Sequence, residues 1–256
     1  HAVTDIDPKE KTVTVSNEKI RWDKLIIASG AECFVPPMKG TDLEGVFTIR
    51  HLEDLLRLQK EMKAGKDAVV IGGGVLGLEA GSELYKQGMH VTVLEAAPQI
   101  MGRQLDASTA DALKEKLSGL SVECIEAASI TELKGKDNHV YEVALKDGRS
   151  YPAQAVIVSC GNRGNTEEAS RAGIALGRAI KVDSFMRTNL ADIYACGDCA
   201  EYMGVNMQLW AEASAQGKTA GANASGDSLQ YENVLYGMSF EGFGTSLYAI
   251  GDCGKS

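Results

Sequence analysis

No apolar run in this sequence approaches the roughly 20 residues that cross a bilayer, so a membrane-spanning helix is excluded. There is no basic run either. Across 256 residues, 26 Lys and Arg stand against 35 Asp and Glu, a formal charge of -9. That balance argues against nucleic acid or an anionic membrane surface as a partner. Repeats and low-complexity segments are absent. The opening stretch HAVTDIDPKEKTVTVS is polar and alternating, unlike a signal peptide, and no Met begins it, so a processed chain or a piece of a longer one is expected. Cysteine is sparse and scattered, at Cys33, Cys124, Cys160, Cys196, Cys199 and Cys253. A chain this long needs no covalent staples, which argues against a disulfide framework and for a reducing cytoplasm.

What is present is an ordinary globular composition, 44% hydrophobic and 24% charged, long enough for one large or two modest domains. KTVTVS and EKIRWDKLIIAS read as an antiparallel meander ending in a buried strand at Leu25–Ala28. GAECFVPPMKGTD is loop, set by its Gly and Pro residues. Leu52, Leu55, Leu56 and Leu58 mark a helical face. DAVVI is an apolar strand, GGG a turn, VLGLEAGSELYKQG a helix closed by Gly88, and HVTVLE the next strand. A helix over 106–118 and the strand SVECIE follow, then a hairpin turning at Asp147-Gly148 and a buried strand at Ala155–Cys160. Later come a strand at DIYAC, a helix at AEASAQGKTAGANAS, and new strands within residues 231–256. Strand–helix alternation of this kind predicts an α/β fold with a mostly parallel sheet, and β-meanders appended.

Gly72, Gly74 and Gly77 form G-x-G-x-x-G between a strand and a helix, the context in which the pattern has a mechanism. The first glycine permits the turn, the second lets backbone approach a pyrophosphate, and the third lets helix and strand pack closely. The pyrophosphate then meets the N–H groups at the helix start, around Val75 and Leu76. Glu95 ends the next strand, where a carboxylate accepts from adenosine ribose hydroxyls. The residues after it, Ala96, Ala97, Pro98 and Gln99, bring no cation for a 2′-phosphate, so NAD is expected rather than NADP.

The stretch IYACGDCAEY leaves three readings of Cys196 and Cys199: a redox dithiol, half of a metal site, or small fillers flanking Asp198. A dithiol predicts a Cys196 pKa well below the free value of about 8.5. A structural zinc site needs four ligands, and no second Cys pair or spaced His lies nearby.

Taken in order, ASGA at 28–31, GGGVLGLEA, RQLD at 103–106, CGNRGNTE at 160–167, YACGDCA at 194–200 and LWAEASAQGKTAGANASG at 209–226 resemble one family. It is the pyridine nucleotide-disulfide oxidoreductase family of two-dinucleotide flavoproteins, on the branch of NADH oxidases, rubredoxin reductases and nitrite reductase subunits. The resemblance implies two Rossmann-like dinucleotide-binding domains, the NAD domain inserted into an incomplete FAD domain. The expected boundaries are 1–41 and 159–230 for the FAD part, 42–158 for the NAD domain, and 231–256 for the start of a C-terminal interface domain. It gives Asp198, after Gly197, the ribityl hydroxyls of FAD, and sets Ser29 and Gly30 against the FAD pyrophosphate or ribose. Gly161, in the hinge loop between the domains, is expected to bind cofactor, and Gly164 stands where the family more often has Pro, which should loosen that loop while leaving Asn165 in place. The helix starting near Ala211 would aim its N-terminus at the flavin C2 carbonyl, a placement that helix electrostatics favours independently. Under this reading Asp198, not the cysteines, is the residue that matters.

Glu79 has two readings. In related disulfide reductases a glutamate at this place lies near the flavin; alternatively it is an ordinary acid in the first turn of its helix. The implied activity is hydride transfer from NADH to FAD and on to a small-molecule or redox-protein acceptor, and the family admits a homodimer of the full-length protein. The family's N-terminal FAD fingerprint has no counterpart here. The chain alone is therefore expected to bind FAD weakly or not at all, to retain NADH binding and to be inactive by itself. Two other functions compete: an NAD(H)-binding module without flavin, and a dithiol reductase using Cys196 and Cys199.

Overall fold

The computed structural model describes residues 1–232 and 237–251; Cys253 and parts of the 231–256 segment lie outside them. The chain divides into two compact units, one of residues 1–32 with 162–234 and one of 33–161 with 235–256.

The first unit begins with an antiparallel meander of β1 (Val3–Asp7), β2 (Thr12–Val15) and β3 (Glu18–Arg21). β4 (Leu25–Ile27) does not continue it, and here the sequence expectation needs correcting. β4 pairs in parallel with a strand far along the chain, and it is only half-buried, Ile26 being 39% exposed. An apolar triplet says that a strand forms, but not which partner it finds. β5 (Ala31–Cys33) carries the chain out of this unit.

The second unit is a five-stranded parallel sheet in the order β6 (Val46–Phe47), β13 (Ala155–Val158), β7 (Asp67–Ile71), β8 (His90–Leu94), β9 (Glu123–Ile125). Helix α1 (Leu52–Glu61) leads into it, but its expected apolar face is mostly exposed: Leu52, Leu55 and Leu56 face solvent and only Leu58 is buried. Helices α2 (Val75–Lys86) and α3 (Ala107–Gly119) follow β7 and β8. The antiparallel β10 (Ile130–Lys136), β11 (His139–Leu145) and β12 (Ser150–Pro152) form a separate small sheet.

Successive residues of a strand point to opposite faces. Val70, Val93 and Ile157 accordingly join α2 and α3 in one apolar cluster. Val69, Ile71, Leu94 and Val156 join Leu133 and Val143 of the small sheet in another. Burial on both faces is why these strands read as unbroken apolar runs.

Back in the first unit, β14 (Asn162–Gly164) bonds to β5, and α4 (Glu167–Arg171) follows. β15 (Ile180–Val182) pairs in parallel with β17 (Ala200–Tyr202), and β16 (Ile193–Ala195) pairs in parallel with β4. The long helix α5 (Trp210–Ala224) ends the unit's regular structure. Asp192, just before β16, accepts from Lys11 Nζ at 2.5 Å and from Lys24 Nζ, tying the meander to β16. The last strands, β18 (Met238–Gly242) and β19 (Thr245–Ala249), form a hairpin whose Phe240 and Phe243 are buried in the first-named cluster of the second unit.

Candidate functional site

In the second unit, β7 has β8 on one side and β13 on the other, so the connections diverge at its carboxyl end. Open α/β sheets bind ligands at such a point. The chain there turns through Gly72, whose φ is +113° and whose absent Cβ would sit 2.2 Å from the Ser159 carbonyl oxygen. Gly77, inside the first turn of α2, lies so close that a Cβ would be 2.0 Å from the Gly72 oxygen. Only glycine fits either place. Gly74, the N-cap residue, is different: a Cβ there would meet nothing within 4 Å, so the approach to the helix start is open. The N–H groups at the start of α2, including those of Val75 and Leu76, have no partner inside the helix, which leaves donors for an anion there.

Glu95 follows β8 directly. Its carboxylate accepts from the Gly73 amide at 2.6 Å and from the Ala97 amide at 2.7 Å. Each oxygen retains a further lone pair, so the acid is fixed beside the glycine turn and can still accept from a hydroxyl. The following loop closes on the same turn, Met101 N donating to the Gly73 oxygen. A dinucleotide fits these residues. Gly161 lies in the same unit, its oxygen accepting from Phe34 N.

Glu79 does not match the simpler of its two sequence readings. α2 starts at Val75 and carries no acid in its first turn, so Glu79 falls in the second, where the helix dipole favours it little. Its carboxylate is 3.5 Å from the Glu241 amide of the β18–β19 hairpin, while Phe243 N donates to Ser82 Oγ.

In the first unit, the chain leaving β4 passes through Ser29 and Gly30, and these are stitched to Asn165. Ser29 Oγ donates to the Asn165 oxygen at 2.6 Å, Asn165 Nδ2 donates to the Ser29 oxygen at 3.0 Å, and Asn165 N donates to the Gly30 oxygen at 2.9 Å. Gly164, expected to loosen this loop, lies against the Asp198 carbonyl, where a Cβ would stand 3.0 Å from the oxygen. A cavity of about 1160 Å³ opens beside Ile26, Ser29, Asn165 and Thr166.

The neighbouring strand β16 ends in a turn of 3₁₀ helix, Gly197–Cys199, with Gly197 at φ +75°. Asn206 Nδ2 bonds the Asp198 oxygen at 3.0 Å, holding this turn to the loop before α5. α5 starts with Trp210 and Ala211 exposed, and no side chain caps it. Sequence reasoning passed over two side chains here, Glu212 and Gln216, both buried in a helix made largely of Ala, Gly and Ser. Their signal was a spacing of four, which puts them on one face.

Cys196 and Cys199 are buried thiols; Cys199 Sγ lies 3.3 Å from the Cys196 oxygen and 3.5 Å from the Ile27 oxygen. Burial pushes the Cys196 thiol up to about 11, the opposite of what a nucleophilic dithiol requires. Among the described residues, no helix is long and apolar enough to cross a membrane.

The architecture is that of α/β oxidoreductases built on Rossmann-like units. The chain belongs to the pyridine nucleotide-disulphide oxidoreductase family, whose model matches residues 1–217. The family consists of oxidoreductases that use FAD and NAD(P)H. The chain is 34% identical over 247 residues to an NADH oxidase of Methanocaldococcus jannaschii, a match covering 91% of this chain and 55% of that protein. It is 35% identical over 199 residues to a rubredoxin-NAD(+) reductase of Pseudomonas putida, covering 77% of this chain and 52% of that one. Among solved structures, an NAD-dependent persulfide reductase from A. fulgidus superposes with a TM-score of 0.91 at 30% identity, over 98% of this chain and 48% of that one. The chain spans between 32% and 55% of the length of the curated relatives it matches.

Proposed function

We propose that this chain is the nucleotide-handling part of an NADH-dependent flavoprotein oxidoreductase. The observation that carries this is the Gly72–Gly77 turn with Glu95 locked beside it, together with a second strand-end constellation of Ser29, Gly30, Gly197 and Asp198 in the other unit. NAD belongs to the first: the start of α2 takes the pyrophosphate, and Glu95 takes the adenosine ribose. With no cation at Ala96 to Gln99, a 2′-phosphate would meet only the Glu95 carboxylate, so NADH is preferred to NADPH.

FAD belongs to the second. Asp198 holds the ribityl chain, Ser29 and Gly30 lie along the phosphate or ribose, and the uncapped start of α5, at Ala211, favours negative charge on the ring. The bound flavin supplies the hydride acceptor and passes electrons on. A redox protein is the favoured acceptor, because the Pseudomonas putida relative is named for rubredoxin. Unit boundaries at 32/33 and 161/162 suit an NAD domain inserted into a flavin domain. A reducing cytoplasm is the expected compartment, six scattered cysteines in a chain this long needing no disulfide framework.

The test is to purify the full-length protein, release its cofactor by denaturation and identify it. FAD near one equivalent per chain is expected. A protein that carries no flavin and binds none when reconstituted contradicts the proposal and favours a flavin-free NAD(H) module.

A further inference from the structure

Three hydrogen bonds link the Gly197–Asp198 turn, α5 and the loop before it. Gly197 N donates to Gln216 Oε1 at 2.8 Å, and Gln216 Nε2 donates to Glu212 Oε1 at 3.2 Å. Met207 N donates to Glu212 Oε2 at 3.1 Å. Glu212 and Gln216 are 5% and 1% exposed, so the chain of bonds runs through protein interior. A buried acid is costly to keep without partners, and this one accepts from amides: Met207 N, Gln216 Nε2 and the Gln208 backbone.

We propose that Glu212 and Gln216 are positioning residues, a buried strut that fixes the Gly197–Asp198 turn on the first turn of α5 and thereby sets where Asp198 is held. This rests on the reading of Asp198 as a flavin-binding residue. The polarity of the strut is determined throughout. Gly197 needs an acceptor, so Gln216 must turn its oxygen to it and its NH₂ to position 212. Position 212 must then offer one acceptor to Gln216 and another to Met207. A carboxylate does both; an amide cannot. Burial raises the Glu212 pKa, and the Asp198 charge adds to the rise, so the two carboxyl groups are close enough to feel each other.

The polarity makes the test specific. In Glu212→Gln, an amide oxygen facing Met207 leaves NH₂ facing NH₂ at Gln216. If Gln216 flips to relieve this, the Gly197 amide loses its acceptor. The swapped pair Glu212→Gln with Gln216→Glu restores all three bonds. The carboxylate, now at position 216, would accept from Gly197 and from the amide now at position 212, whose oxygen in turn accepts from Met207.

The experiment uses the full-length protein in two readouts. Hydrogen exchange over residues 195–200 should rise about tenfold or more in Glu212→Gln, as expected for one lost hydrogen bond at a buried donor, and return in the swap. FAD binding should weaken in Glu212→Gln, recover in the swap, and show no additional loss in Glu212→Gln with Asp198→Asn beyond Asp198→Asn alone. Unchanged exchange in Glu212→Gln, or a swap that fails to restore it, overturns the strut. Additive FAD losses overturn its action through Asp198. If Asp198→Asn leaves FAD binding intact while the exchange results hold, the flavin reading fails and the strut stands.

Discussion

The Glu95 carboxylate and the Gly73 amide, 2.6 Å apart, make one unit of the end of β8 and the glycine turn after β7. The acid both buttresses the turn and keeps acceptor capacity beside it. Glu95→Ala removes a charged acceptor from the turn and from the ribose together. At about 1.5–3 kcal/mol for a hydrogen bond to a charged group, the KM for NADH should rise about 10–100-fold. Steady-state kinetics checks this, and an unchanged KM would remove Glu95 from the site.

Gly77 is a question of contact distance. Adding a methyl puts carbon 2.0 Å from the Gly72 oxygen, so α2 or the turn must move. Gly77→Ala should cost about 1–3 kcal/mol, the usual range for overpacking, and lower the melting temperature. Gly119→Ala is its control: a Cβ at the exposed end of α3 meets nothing within 4 Å, so stability should hold or rise by up to ~1 kcal/mol. Thermal melting of both variants decides it; equal effects would mean the close approach at Gly77 is not real.

Much of the second unit was legible because its information is local. A five-residue apolar strand, a glycine turn and a helix ending at Gly88 lie within two dozen residues, and Glu95 falls at the end of the next strand. The first unit was harder to read. β4 finds β16, whose register sets Leu25 against Ile193, across most of the chain, and the local pattern of KLIIAS attached it to the wrong meander. The apolar spacing in α1 predicted a helix correctly but not its exposure. Glu212 and Gln216 stayed hidden because a spacing of four says only that two polar side chains share a helix face; it is their burial that sets them apart.

The Asp192 ion pairs should appear in acid. Its carboxyl, hydrogen-bonded first by Lys11 and then by Lys24, is held down at about 2 against an ordinary 3.8. A group whose folded pKa is depressed stabilises the fold above its unfolded value, and that stabilisation is lost as pH falls from near 3.8 through about 2. Asp192→Asn should therefore flatten the fall in melting temperature across that window. A variant whose acid profile overlays that of the parent would show that these pairs contribute nothing measurable.

The buried thiols give a prediction about reactivity. With Cys196 pushed up to about 11, and Cys199 shielded by full burial, the native protein at pH 8 should leave both thiols unalkylated by iodoacetamide, while the denatured protein reacts at both. Peptide mass mapping reads each site. Rapid native labelling of Cys196 would revive the dithiol reductase.

The central claim is tested most directly by anaerobic mixing of the full-length, flavin-loaded protein with NADH or NADPH while the visible flavin absorbance is followed. The account predicts bleaching by NADH, slower bleaching by NADPH, and loss of that preference in Glu95→Ala, whose bound flavin is otherwise intact. A flavin that neither nucleotide bleaches, or a nucleotide preference that Glu95→Ala leaves unchanged, would contradict it.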